Sequence, residues 1–305
     1  MFKVFIDGQA GTTGLRIAER LTERPDIELV EIQEGLRKDI ASRLDCILEA
    51  DVSVLCLPDE DAREIAAAAP PESRIIDCST AHRVKPDWVY GMPEVVSGIE
   101  GSARVANPGC HATGFIMSVR PLIDSGILDK SAQISFHSLT GYSGGGKPMI
   151  SEYKEKKMKA PRQYALSQEH KHIPEMRAYS GFEHAPVFSP IVCDFYCGML
   201  VSVPLRTSAS AKDIRDTLAD YYEVCQLVKI REIGEEFSEA AGAGFLSADA
   251  FAGRDDIEIF VTGKDDRIEI VSRYDNLGKG ASGAAIQNMN IMLGLPEETG
   301  LVTGT

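Results

Sequence analysis

The chain has 305 residues, 44% of them hydrophobic and 26% charged, which suits two domains or one large α/β unit with a sizeable core. Its net charge of −14, without a basic tail or stripe, argues against a phosphate-backbone binder, so no nucleic-acid partner is expected. No apolar run approaches the ~20 residues of a membrane span. The N-terminus shows no basic region followed by an apolar stretch, and a cytoplasmic protein with no membrane partner is expected.

In chain order, residues 2–7 read as a buried strand bounded by Gly8. Leu15, Ile17, Ala18 and Leu21 then recur at helical spacing, and Pro25 follows the helix end. A second strand fits 27–32 and a third 52–57, after which Asp59 or Asp61 is expected to cap an alanine-rich helix around 60–69. A strand at 74–77 follows. Strands alternating with helices predict a parallel sheet covered on both faces. After Asn107-Pro108-Gly109 the pattern changes, with a helix at 111–124, a strand at 132–138 and a glycine-rich loop at 141–146. Long β-type runs at 191–205, 257–263 and 267–274, and a helix near 211–224, suggest a mixed or antiparallel sheet. Residues 281–293 return to helix. The expected fold class is α/β, a Rossmann-like dinucleotide-binding domain (1–109 with 278–305) and an α+β domain with a mixed or antiparallel sheet (110–277).

The turn Gly8-Gln9-Ala10-Gly11-Thr12-Thr13-Gly14 lies between a strand and a helix, where a dinucleotide fingerprint belongs. Small residues let a backbone approach a pyrophosphate, and the helix N-terminus supplies N–H donors. Gly8, Ala10, Gly11, Thr12, Thr13 and Gly14 are the candidate contacts, although Ala10 replaces the second glycine of the strict pattern. After the second strand, Glu31 and Glu34 suit a ribose hydroxyl, whereas Arg37 and Lys38 suit a 2′-phosphate, and the residues leave NADH and NADPH both open.

The seven cysteines are an odd number in a long chain that shows no secretion signal, so no disulfide framework is expected and most should be buried reduced thiols. Cys110 differs. The Pro108-Gly109 turn places it in the first turn of the next helix, where the dipole and unpaired N–H groups favour thiolate and can stabilise an oxyanion. His170-Lys171-His172-Ile173-Pro174-Glu175 offers a base with a carboxylate to orient it. A zinc pair or a surface loop is the plainer alternative, but no second cluster has ligand spacing and no metal is expected. Cys193 and Cys197 fall in a strand-like run and should point to one face.

Six blocks in order resemble the N-acetyl-γ-glutamyl-phosphate reductase family in its shorter form. They are Asp7–Leu15, Asp77–Arg83, Asn107–Cys110, Gly141–Lys147, His170–Glu175, and Lys279–Gly283 leading to Gln287–Asn290. The resemblance implies a fold and chemistry similar to aspartate-semialdehyde dehydrogenase, NADPH/NADP as cofactor, a small acyl phosphate as substrate and homo-oligomeric assembly as dimer or tetramer. It implies Cys110 as nucleophile, with His170 or His172, steadied by Glu175, handling the proton. It adds Ser79 and Ser282 to the cofactor contacts, and Arg83, Ser143, Gly144 and Lys147 to the substrate contacts. Arg can clasp an anion bidentately, whereas Lys acts as a point charge. Longer members carry an aromatic residue and a proline where this chain has His111-Ala112, which makes His111 an extra candidate. The competing readings are an aspartyl-phosphate reductase, a dinucleotide or redox sensor without turnover, and a zinc-dependent hydrolase.

Overall fold

The computed structural model describes residues 1–234 and 244–304. The chain divides into two compact units, Met1–Pro108 with Ala281–Leu301, and Gly109–Gly280 with the chain end from Val302.

In the first unit, β1 (Phe2–Asp7) runs into α1 (Thr12–Thr22), followed by β2 (Ile27–Val30) and α2 (Ile40–Glu49). Then come β3 (Val52–Leu55), α3 (Asp59–Ala68), β4 (Ile75–Asp77), β5 (Val89–Tyr90) and β6 (Arg104–Ala106). These strands form one sheet in the order β2-β1-β3-β4-β6-β5, parallel throughout. The sheet is covered on both faces at its centre, where all four residues of β3 are buried. α1 puts Ile17, Ala18 and Leu21 on one face, against Val4 and Val54 of the sheet.

One local expectation fails. Neither Asp59 nor Asp61 caps α3, whose N-cap is Pro58. Asp59 is the first helical residue instead, and its carboxylate takes the backbone N–H and the hydroxyl of Thr80.

The second unit opens with α4 (Cys110–Asp124), β7 (Ser135–Gly141) and α5 (Gly146–Lys156), then β8 (Arg162–Gln163) and α6 (Ile173–Ser180). It continues through β9 (Val187–Cys193), β10 (Met199–Arg206), α7 (Ala211–Tyr221), β11 (Val228–Ile230), β12 (Ile257–Lys264) and β13 (Arg267–Tyr274). The seven-stranded sheet has the order β11-β12-β13-β10-β7-β9-β8. It is mixed: β7–β9 and β11–β12 are parallel and the other pairs antiparallel. The run expected at 191–205 is two strands separated by a bend at 194–197, so Cys193 ends β9 while Cys197 lies in the bend. The expected glycine-rich loop folds into a 3-10 turn, Tyr142–Gly145, and the start of α5. Gly146 joins them at φ 67°, a conformation that a β-carbon disfavours. Lys154 and Lys156 sit in the last turn of α5, on its wet side.

α4 is buried along nearly its whole length, from His111 to Ile123. The last helix, α8 (Gly283–Met292), belongs to the first unit, where Ile286, Met289 and Met292 join the core of α1 and β3. The seven cysteines form no disulfide. Among the described residues no helix is long and apolar enough to cross a membrane.

Candidate active site

In the first unit β1 ends at Asp7 and the chain turns at Gly8, whose φ is 86°. A β-carbon at Gly8 would collide with the Cys56 carbonyl oxygen, and one at Gly14 would lie 2.6 Å from the Gly8 oxygen. Gly11 is the N-cap of α1, and its N–H donates to the Gly8 carbonyl at 2.9 Å. The turn is therefore folded back tightly on itself. The N–H groups of the first turn of α1 have no acceptor within the helix, and the preceding Gln9 and Ala10 are exposed. This cradle fits a dinucleotide pyrophosphate. Glu31, Glu34, Arg37 and Lys38 are all exposed in the segment after β2, and the Arg37 carbonyl accepts a hydrogen bond from Arg43 Nε at 2.8 Å.

The Asp77–Arg83 motif is tied together around the Asp77 carboxylate. Asp77, fully buried, accepts from the Ser79 N–H at 2.9 Å and the Ser79 hydroxyl at 2.7 Å, and meets His82 Nδ1 at 2.7 Å. His82 stacks on Trp88 with ring centroids 4.1 Å apart. Arg83 is buried, with Nε donating to the Asn107 carbonyl at 2.9 Å and Nη2 to the Cys78 carbonyl at 3.3 Å. It is no solvated surface cation. Ser282, also buried, stands at the N-cap position of α8, in helical conformation and without a side-chain cap bond.

In the second unit Cys110 is the first residue of α4, with Gly109 as N-cap in extended conformation. Gly109 has no side chain with which to cap this helix end, and the N–H groups of a first turn find no acceptor within their own helix. Glu175, buried on the first turn of α6, accepts the Gly109 N–H at 3.0 Å. It holds the turn ahead of Cys110, a contact that its place beside the histidines in sequence did not announce. The Tyr274 hydroxyl bridges the first rung of α4, donating to the Cys110 carbonyl at 2.6 Å and accepting from the Gly114 N–H at 3.1 Å. Gly114 admits it, since a β-carbon there would lie 2.6 Å from the tyrosine oxygen. A β-carbon at Gly280 would lie 2.8 Å from Cys110 Cβ, so Gly280 leaves the space the cysteine occupies.

The histidines gather beside this helix end. His172 is the N-cap of α6, and its N–H donates to His170 Nδ1 at 3.1 Å. The His111 ring centroid lies 5.4 Å from that of His170 and 5.6 Å from that of His172. His111 meets Ser138 Oγ through Nδ1 and the Tyr164 hydroxyl through Nε2, both at 2.7 Å. Burial first, and then the neighbouring His170 and Lys171, push the His111 pKa well below its ordinary value, and the ring is neutral. Burial and the nearby Cys110 push the Tyr164 phenol far up, so it keeps its proton. Among the described residues no group of three or more His, Cys, Asp or Glu is placed to hold a metal ion.

The 143–147 segment divides. Ser143 is buried and accepts from Asn276 Nδ2 at 3.0 Å, whereas Gly144 and Lys147 are exposed. Tyr164, Tyr274 and Gly280 had no assigned role in the sequence. An isolated aromatic or glycine carries no local signal, and only their long-range contacts with the Cys110 turn single them out.

Residues 3–99 match the semialdehyde dehydrogenase NAD-binding domain, and residues 110–276 the semialdehyde dehydrogenase dimerisation domain. The first unit is thus a nicotinamide-dinucleotide-binding domain. N-acetyl-gamma-glutamyl-phosphate reductase 2 of Nostoc sp. is 45% identical over 319 residues, covering 98% of this chain and 99% of its own. The N-acetyl-gamma-glutamyl-phosphate reductase of Sinorhizobium medicae is 43% identical, with coverages of 95% and 98%. Among solved structures, aspartate semialdehyde dehydrogenase II of Vibrio cholerae, complexed with ASA, superposes with a TM-score of 0.69 at 17% identity, over 96% of this chain and 98% of that one. Aspartate semialdehyde dehydrogenase of Francisella tularensis gives 0.71 at 14% identity, over 96% and 100%; at such identities the likeness is one of fold. With near-full-length identity above 40% to the first two and both domain models in register, the chain belongs to the semialdehyde dehydrogenase family, in its N-acetyl-γ-glutamyl-phosphate reductase branch.

Proposed function

We propose that this protein reduces N-acetyl-L-glutamyl 5-phosphate to the 5-semialdehyde and inorganic phosphate, with NADPH as reductant and Cys110 as nucleophile, in arginine biosynthesis. The observation that carries this reading is the placement of Cys110. It is the first residue of a buried fifteen-residue helix and follows a glycine N-cap that makes no side-chain cap. The helix dipole and first-turn N–H groups favour the thiolate there.

The sulfur attacks the acyl carbon. A C–S bond forms, the C–O bond to phosphate breaks, and phosphate leaves with the electron pair. The oxygen that becomes negative in that step lies where the N–H groups at the start of α4 can donate to it. When bound at the Gly8–Gly14 turn, the dinucleotide supplies the hydride that takes the thioester to the aldehyde level. On aldehyde release the sulfur keeps the C–S electron pair, and the helix end again favours the thiolate. His170 and His172 take the proton-handling role, while Glu175 steadies the Gly109 turn. Exposed Arg37 and Lys38 are the cations for a 2′-phosphate, which is the ground for NADPH. Ser79 and Ser282 complete the cofactor contacts; Arg83, Ser143, Gly144 and Lys147 are the substrate contacts. Assembly is as a homo-oligomer in the cytoplasm.

The test is reduction of NADP+ by the purified protein with N-acetyl-glutamate semialdehyde, with and without inorganic phosphate. Turnover should require phosphate. Cys110→Ser should abolish it while NADPH titrates as in the wild type. A substantially active Ser variant, or a phosphate-independent rate, overturns the thioester route, and a preference for aspartate semialdehyde overturns the substrate.

A further inference from the structure

His111 follows the nucleophile directly, yet the mechanism above leaves it idle. Its surroundings are specific. The ring is buried, and each nitrogen faces a hydroxyl at 2.7 Å, Ser138 on one side and Tyr164 on the other. A neutral imidazole has one N–H and one lone pair, so it must donate to one hydroxyl and accept from the other. Which way round this runs decides where the phenol hydrogen of Tyr164 points.

Ser138 settles the order. Its side chain is fully buried on β7, and among the described residues His111 Nδ1 is the one side-chain hydrogen-bond partner of its hydroxyl. A buried hydroxyl places its hydrogen on an acceptor. Ser138 therefore donates to Nδ1, the ring proton sits on Nε2, and Nε2–H donates to the tyrosine oxygen. The Tyr164 hydrogen is then not consumed by His111. Tyr164 itself is partly exposed, and its phenol responds to the charge of Cys110.

We propose that His111 is a positioning residue that fixes the Tyr164 hydroxyl as a donor toward the Cys110 side, where it bonds the oxygen of the acyl group carried on the sulfur. Cys110 and His111 are consecutive at the start of α4, while Tyr164 follows β8. The direction of the chain Ser138→His111→Tyr164 is set entirely within the second unit. The opposite order would turn the phenol hydrogen inward and present lone pairs to a developing oxyanion, which repels it. The inference rests on the acyl-transfer reading for its effect on rate, but the hydrogen-bond order stands independently of the substrate.

Nitrogen NMR of the wild-type protein labelled with ¹⁵N-histidine reads which ring nitrogen carries the proton, and the His111 signals are those that vanish in His111→Gln. A proton on Nε2 is expected; a proton on Nδ1, or on both, overturns the proposal. Steady-state rates give the second readout. Tyr164→Phe and His111→Leu should each lower kcat roughly 100-fold, the usual loss for a removed oxyanion donor. The double variant should be no worse than the poorer single one. His111→Gln, which can present an amide N–H near the Nε2 position, should recover to within roughly tenfold of wild type. Losses that multiply, or a Gln variant no better than Leu, would reduce His111 to packing. If His111→Leu does not fold, the wild-type spectrum and the Gln variant decide. An enzyme inactive toward the acyl phosphate but protonated on Nε2 would remove the substrate while upholding the hydrogen-bond order.

Discussion

Gly280→Ala gives the sharpest test of how the nucleophile is held. The new methyl would stand 2.8 Å from Cys110 Cβ and 3.3 Å from both Cys110 Cα and the Asp275 carbonyl oxygen. Carbon–carbon contacts are comfortable at about 3.5–4.0 Å, so roughly 1 Å must be found. The backbone at 280 cannot yield easily, because its N–H donates to the Asp275 carbonyl at 3.0 Å and the Asp275 carboxylate is tied to the Gly253 and Leu277 N–H groups. The displacement therefore falls on the cysteine. A misplacement of ~1 Å in a catalytic group costs on the order of 100-fold in rate, and overpacking of this kind costs about 1–3 kcal/mol of stability. Expected, then, is a folded protein with a slightly lower melting temperature, kcat reduced roughly 100-fold, and an altered rate of thiol alkylation by iodoacetamide. Wild-type kcat and alkylation rate in a folded Ala variant would refute the claim that Gly280 exists to seat Cys110.

Other outcomes follow from the same contacts. Tyr274→Phe deletes the hydroxyl between the Gly114 N–H and the Cys110 carbonyl, and should cost about 1–3 kcal/mol in denaturant unfolding; no loss would mean that the bridge carries no net stability. Gly14→Ala places a β-carbon 2.6 Å from the Gly8 oxygen and should weaken NADPH binding at least ~10-fold in a fluorescence titration, because the turn must open. Gly11→Ala sets a β-carbon 3.3 Å from the same Gly8 oxygen, a milder crowding of the turn, and should weaken NADPH binding less than Gly14→Ala does. Asp7 supplies a pH dependence, since burial raises its pKa from 3.8 to about 6 despite the neighbouring Arg43. A carboxyl raised on folding binds its proton more tightly in the native state, so its contribution is full below pH ~4 and is lost as pH climbs through about 6, to a total near 3 kcal/mol. Asp7→Asn should flatten the decline of melting temperature over that interval, and an unchanged wild-type-minus-variant difference would contradict the assignment.

Much of the first unit was legible because its signals are local. The apolar run of β1, the glycines after it and the spacing of Ile17, Ala18 and Leu21 lie within about twenty residues and need no knowledge of the rest. The position of Cys110 was legible for the same reason, since Pro108-Gly109 ends one element and starts another. What escaped is long-range. Asp59 looks like a cap until the loop carrying Thr80 is known to reach it. Glu175 stands beside the histidines in sequence, and its further bond to the Gly109 N–H shows only once α4 and α6 are folded. The bend at 194–197 interrupts a continuous β-type composition because Gly198 hydrogen-bonds Asn276, seventy-eight positions away. Tyr164 carries no signal at all without Ser138 and His111.

The first unit closes its core with residues that come from the far end of the chain. Ile286, Met289 and Met292 pack against Val4, Ile17 and Val54, although more than 200 residues separate them. A nascent chain emerging from the ribosome therefore exposes the apolar face of β1, α1 and β3 while the whole second unit is still being translated. At 5–20 residues per second that wait lasts roughly ten to forty seconds. The cysteine-bearing unit, whose segments from Gly109 to Gly280 are contiguous, has its strands and helices available before its neighbour can finish. Synthesis order thus runs against domain order, and a chaperone surveying this polypeptide would meet an incomplete nucleotide fold ahead of a nearly complete catalytic one.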